Sequence, residues 1–161
     1  MSQALVSAFA NGAVINLGAA DGATANSILS EGAVSFANAL VALNSTGGLT
    51  QTGSLSANNL ALTGTSLALN GQINATALSL TASGAISQTG GSGLTLSSLS
   101  GTGGSIALTG GANSIASVTG LTAAGGIAIN DAGALSVAGG ISAGSSIALA
   151  TPTLDLGNTL I

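Results

Sequence analysis

Apolar and small polar positions alternate through Leu78-Ser-Leu80-Thr-Ala82-Ser-Gly84-Ala-Ile86-Ser-Gln-Thr-Gly90, and the rest of the chain repeats this pattern with variations. Leu78, Leu80 and Ala82 keep step, Gly84 interrupts, alternation resumes at Ile86, and Gly90-Gly91 ends it. A period of two predicts strands with one buried face. A glycine every few residues predicts corners, because glycine takes φ > 0 at little cost. One such unit is too short to bury its own apolar face, whereas many stacked units can.

From Gly48 onward the punctuation is steady. The expected strand cores are Leu60-Ala-Leu62, Leu67-Ala-Leu69, Leu78-Ser-Leu80, Leu94-Thr-Leu96, Ile106-Ala-Leu108, Ile127-Ala-Ile129, Leu135-Ser-Val137, Ile147-Ala-Leu149 and Leu154-Asp-Leu156. Between them fall Asn70-Gly71, Ser83-Gly84, Gly90-Gly91, Gly103-Gly104, Gly110-Gly111, Gly125-Gly126 and Gly139-Gly140. The reading is of strands three to five residues long joined by tight turns. Pro152, the lone proline, falls near the end, where a missing ladder donor costs least. Helix does not fit a period of two broken by glycine. A β-sandwich shares the strand spacing, but its strands are longer and its core recruits aromatics.

The expected fold is therefore all-β, a parallel β-helix or β-solenoid of short strands with glycine-rich corners, about three strands to a coil. A coil of about 20 residues gives on the order of eight coils and a rod about 40 Å long. Leu78, Leu80, Ile86, Leu94, Leu96, Ile106, Leu108, Ile127, Ile129, Ile147 and Leu149 should point inward and stack in columns. Residues 1–47 are less regular and read as early or capping coils, with 48–161 as the regular repeats. Ser2-Gln-Ala-Leu-Val-Ser-Ala-Phe9 and Val34-Ser-Phe36-Ala-Asn-Ala-Leu40-Val-Ala-Leu43 suit short helix or strand, and Asn11-Gly12 and Asp21-Gly22 are turn dipeptides.

Composition narrows the function. The 161 residues include no Lys, Arg, His, Cys, Trp or Tyr, and the only charges are Asp21, Glu31, Asp131 and Asp155, for a formal charge of -4. Nucleic acid is an unsuitable partner, since phosphates call for Lys and Arg. Disorder is disfavoured by 46% apolar and 2% charged residues. No 18-residue window is free of Ser, Thr, Asn and Gly, so no membrane span is expected. A transmembrane barrel would need aromatic girdles that Phe9 and Phe36 cannot supply. No basic region precedes an apolar run, so no signal peptide is read here.

The repeat resembles that of filamentous haemagglutinin-like passengers, the large exoproteins of two-partner secretion. Leu78-x-Leu80-x-Ala82-x-Gly84-x-Ile86 carries the likeness. So do Ile106-Ala-Leu108-Thr-Gly-Gly-Ala-Asn113-Ser-Ile115 and the run from Ile127-Ala-Ile129 through Asp131, Gly133, Leu135 and Val137 to Ile141 and Gly144. The likeness spans roughly Gly48 to Ile161. It implies a right-handed parallel β-helix, export across an outer membrane and an adhesive or structural role at the cell surface. Two features depart from the family. Its passengers are very long with an N-terminal secretion domain, and they carry some Lys and Arg.

Catalysis lacks an inventory: there is no thiol, imidazole or amine side chain. Asp131 and Asp155 lie about one coil apart and could be neighbours, although two separate turn acids is the plainer reading. Gly101-Thr-Gly103-Gly104-Ser105 looks like a phosphate loop without its Lys and reads as a corner. Gly90-Gly91-Ser92-Gly93 lacks the Asp of a calcium-binding nonapeptide. Asn44-Ser-Thr46 and Asn74-Ala-Thr76 match the glycosylation triplet, as chance allows in so Asn- and Thr-rich a chain. Thr50-x-Thr52 and Thr151-x-Thr153 are too few for a flat threonine face of the ice-binding kind. No catalytic, metal or cofactor set is expected, and no enzyme. The expectation is a structural filament or matrix subunit, extracellular or at the cell surface, that assembles head to tail with itself. The alternative is a stalk segment of a secreted adhesin.

Overall fold

The computed structural model describes residues 14–18, 27–30 and 34–157. The expectations for Ser2–Phe9, Asn11-Gly12, Asp21-Gly22 and Glu31, and for the end of the chain through Ile161, lie outside the described residues. Strands β1 (Val14–Gly18), β3 (Val34–Asn44), β5 (Leu55–Gly64), β7 (Gln72–Ala82), β9 (Gly93–Gly103), β12 (Ser117–Ala123), β14 (Ala134–Val137) and β17 (Thr153–Asp155) follow one another across one parallel sheet. Two short strands join it, β11 (Ser114–Ile115) beside β9 and β15 (Ile141–Ala143) beside β12. The second sheet stacks β2 (Ser27–Ser30), β4 (Gly48–Gln51), β6 (Ser66–Leu69), β8 (Ala85–Gln88), β10 (Ser105–Leu108), β13 (Ile127–Asn130) and β16 (Ile147–Ala150) in chain order. The described residues are all-β, without helix, and form a β-solenoid of about six turns. At about 4.8 Å per rung, six turns rise about 29 Å.

The alternation seen in the sequence sets the register. Leu60 pairs with Leu78 in the next coil, and Leu78 pairs with Leu99 in the one after. Ile106, Ile127 and Ile147 pair in succession on the second sheet. In-register parallel pairing puts like residues above like, so the apolar positions form columns inside the coil. Val41, Leu60, Leu78, Leu99 and Val118 make one such column, every member buried.

Eight of the marked triplets lie wholly within strands, and the ninth, Leu154-Asp-Leu156, runs one residue past β17. The strands are not uniformly three to five residues long, however. Those of the second sheet have four, but β5, β7 and β9 run to 10 or 11. Along β7 the inward residues are Ile73, Ala75, then Leu78, Leu80 and Ala82. That step of three leaves Thr76 and Ala77 together on the outer side and bends the strand. Leu94, Leu96 and Leu99 repeat the bend in β9. Each coil therefore has three straight pieces, as the sequence suggested. Hydrogen bonding to the next coil continues through one bend and fuses two of the pieces. In later coils the bend opens, separating β11 from β12 and β14 from β15.

Val34–Leu43, which suited helix or strand, lies in β3. The glycine corners are real, but their cause differs from the one expected. Among the described glycines only Gly157 has positive φ, at 57°. Close approach between coils explains the most crowded corners instead. A Cβ at Gly139 would run into the Thr119 carbonyl, and one at Gly144 into that of Ala124.

The expected core columns are buried from Leu78 to Ile129. Ile147 is the exception at 49% exposed, and Leu149 is half-buried. Both sit in register on buried partners, Ile127 and Ile129, but in the last described coil, where no described strand stacks beyond them.

Candidate functional site

The two acids do not converge. The ladder pairs Asn130 with Ala150, whose carbonyl accepts the Asp131 N–H at 2.8 Å, so one full coil on from Asp131 ends short of Asp155. Asp155 is in register with Ser136, not with Asp131. Asp131 lies at the corner after β13 and is 3% exposed. Its Oδ1 accepts the Ile115 N–H at 2.7 Å and its Oδ2 the Gly133 N–H at 3.0 Å. Asp155 is exposed and accepts the Gly157 N–H at 2.9 Å. Each carboxylate accepts from backbone N–H groups, and the two acids are separate, the plainer of the two readings.

Asp131 is one of several buried polar side chains in the solenoid. Gln51 and Gln88 are the last residues of β4 and β8, Asn113 lies between β10 and β11, and all three are buried. The Gln51 amide donates to the carbonyls of Gly53 and Gln72, and its Oε1 accepts from Gly71 N–H. Gln88 and Asn113, in successive coils, face each other amide to amide. Gln88 Nε2 donates to Asn113 Oδ1 at 2.7 Å, and Asn113 Nδ2 donates to Gln88 Oε1 at 2.9 Å. Gly110 N–H and Leu94 N–H add to the two oxygens, and Asn113 Nδ2 also reaches the Asn130 carbonyl in the next coil. Among the described residues no buried side-chain nitrogen or oxygen lacks a partner. These amides bind coil to coil. The phase was legible: Leu49-x-Gln51 and Ile86-x-Gln88 put the amides at inward positions.

The other marked motifs are structural. Gly101–Ser105 spans the end of β9, the bend at Gly104 and the start of β10. A Cβ at Gly104 would press on the backbone of Ser83 and Gly84, which is the corner reading. Gly90-Gly91 is an open turn where a Cβ would meet nothing. Asn74 and Thr76 are exposed on β7 beside Ser56 and Asn58. Ser45, within the other triplet, is buried and donates to the Gly48 carbonyl at 3.2 Å. Thr151 donates to the carbonyls of Gly133 and Thr153. Among the described residues no three His, Cys, Asp or Glu are grouped to hold a metal.

A threonine ladder does exist, between coils rather than along a strand. Thr63, Thr81, Thr102 and Thr122 pair in register, with Asn44 before them and Ser142 after. Their rungs repeat at about 4.8 Å. Beside them Ala42, Ala61, Ser79 and Ser100 form a second outward column. Ala42, Ala61, Ser79 and Ser100 line a groove of about 250 Å³ with Leu40 at its rim. No titratable side chain lines it.

No protein-family model, no curated protein and no solved structure matches the chain. The geometry itself defines the class: a parallel β-solenoid repeat protein. No helix among the described residues is long and apolar enough to cross a membrane.

Proposed function

We propose that this chain is a non-catalytic structural protein, the β-solenoid subunit of an extracellular or cell-surface filament or matrix that assembles head to tail. One observation carries the reading. The apolar column Leu49, Leu67, Ile86, Ile106, Ile127 and Ile147 runs through the coils and emerges at one end, where Ile147 and Leu154 are 49% and 41% exposed. Among the described residues both sheets stop at that same end, on β16 and β17. Natural proteins guard such edges with charge, especially Lys; this chain has no Lys, and Asp155 is the one described acid at that end. An isologous dimer would cover one end only, whereas end-to-end contact is heterologous, does not close and extends into a fibre. The outward Ala, Ser and Thr columns, free of charge, suit side-by-side bundling as a second contact. The likeness to filamentous haemagglutinin-like passengers supports export and a surface location.

A second reading, a stalk segment of a secreted adhesin, is favoured by a related observation. Equivalent columns run to both described ends of the ladder, from β1 and β2 to β16 and β17, as in a slice from a longer solenoid. Electron microscopy with sedimentation of the pure protein at micromolar concentration separates the two. Continuous filaments are expected for the subunit. Rods of one fixed length would favour the stalk, and a stable monomer would refute polymerisation.

A further inference from the structure

We infer that the end formed by β15, β16 and β17 is a docking surface for the β2 edge of a second copy, added as a parallel strand in the register that already joins the coils. The inference rests on the filament reading above and names its contact.

The end surface is a strand-shaped template. Among the described residues β16 pairs only with β13, β17 only with β14 and β15 only with β12. Burial locates the missing layer. Ile127 is 1% exposed and Ile147, its partner one coil on, is 49% exposed. Leu135 is 1% exposed and Leu154, its partner, is 41% exposed. What covers Ile127 and Leu135 is a further parallel coil of the same pitch, so the occupant that fits Ile147 and Leu154 is another such coil.

The same chain provides one. At the opposite end β2 is the edge of the same sheet, paired only with β4 among the described residues. Ile28 stands at the head of the column Leu49, Leu67, Ile86, Ile106, Ile127 and Ile147. A copy seated with its β2 on β16 continues that register, with position 28 level with position 147. No Lys or Arg exists to clash or to steer a different pairing. Asp155, the one described acid at this end, is exposed and can keep its carboxylate at the rim.

The register is testable because the chain has no cysteine. Leu29 and Ala148 belong to one column, through Thr50, Ala68, Ser87, Ala107 and Ala128. Docked copies would put Leu29 of one about 4.8 Å from Ala148 of the other, Cα to Cα, within disulfide reach. Leu29→Cys and Ala148→Cys proteins are prepared separately, mixed and oxidised, with circular dichroism confirming that each folds. Covalent dimers should approach about half of the protein in an equal mixture and be at least tenfold rarer in either protein alone. Ile147→Asp, a substitution at an exposed site, should abolish sedimenting polymer while leaving the β-sheet spectrum unchanged. If wild type forms filaments but the mixture gives no excess of dimer, or Ile147→Asp still polymerises, this docking surface is wrong and the filament reading survives. If wild type stays monomeric at micromolar concentration, both fall.

Discussion

The coil around β10 and the coil around β16 carry almost the same inner side chains and have different fates. Ile106 and Leu108 are sealed, at 1% and 0% exposure, whereas Ile147 is half open and Leu149 half-buried. The residues, the alternation and the register partners match. Only the number of neighbouring coils differs. Burial in this molecule thus belongs to the stack and not to the individual coil. Fully burying such a side chain is worth about 1.5–3 kcal/mol, so a coil at the end holds appreciably less of that stabilisation.

The comparison can be broken at its strongest point by placing the same charge in both coils. Ile127→Asp puts an unpaired carboxylate where water cannot reach and should cost about 4 kcal/mol or more, enough to unfold neighbouring coils. Ile147→Asp should cost about 1 kcal/mol in the unassembled chain. Urea titration followed by circular dichroism measures both. Equal costs would mean that the end coil is as buried as the middle and would undo the proposed register.

A smaller contrast lies between adjacent glycines. Gly139→Ala drives a methyl into the Thr119 carbonyl and should cost about 1–3 kcal/mol, whereas Gly140, with nothing near its absent Cβ, should tolerate alanine within about 0.5 kcal/mol. Thermal melts of the two variants compare them directly, and a similar loss in both would reject close approach as the reason for that corner.

The amide pair sharpens the picture of what holds the middle together. Gln88→Leu and Asn113→Leu should each cost about 1–3 kcal/mol by stranding the partner. In a double-mutant cycle the pair should show a coupling of about 0.5–3 kcal/mol. Additive losses would show that the two amides act independently.

Proteolysis reads the mildest difference, local opening. Trypsin has no site in a chain without Lys or Arg, so a protease cutting after Leu or Phe is the useful probe. Cleavage should begin after Leu154 and Leu156 and reach the interval between Leu60 and Leu108 last, because opening there breaks ladders on both sides. Uniform cutting would contradict a cooperative middle.

Most of the solenoid was legible because its strands announce themselves as apolar triplets in step. What escaped were features that exist between coils or at the bend. Ile73, Leu99, Val118 and Leu121 are as buried as any marked residue. Ile73, Leu99 and Val118 are followed two positions on by Ala75, Gly101 and Gly120, and Leu121 by Ala123, so the alternation fades where the strand turns. Asn113, outside any strand, looks like a surface residue until the fold turns it to Gln88. The threonine ladder has its members a whole coil apart in the sequence, each an ordinary threonine when read alone. The two aspartates are not level because their separation exceeds one coil: Asn130 pairs with Ala150, so the residue one coil on from Asp131 comes before Asp155.

The short, steady offset between paired strands has a kinetic consequence. Leu60 need close a loop of only one coil to meet Leu78, and Leu78 a loop of one more to meet Leu99. Loop-closure entropy grows slowly with length, so every successive coil faces nearly the same modest barrier however long the rod becomes. Parallel sheets usually fold slowly because their partners lie far apart in the chain. Here the partner is always the coil just finished. Once one pair of coils has formed, growth proceeds by annealing the next stretch onto a completed template, as a zipper closes from its first teeth.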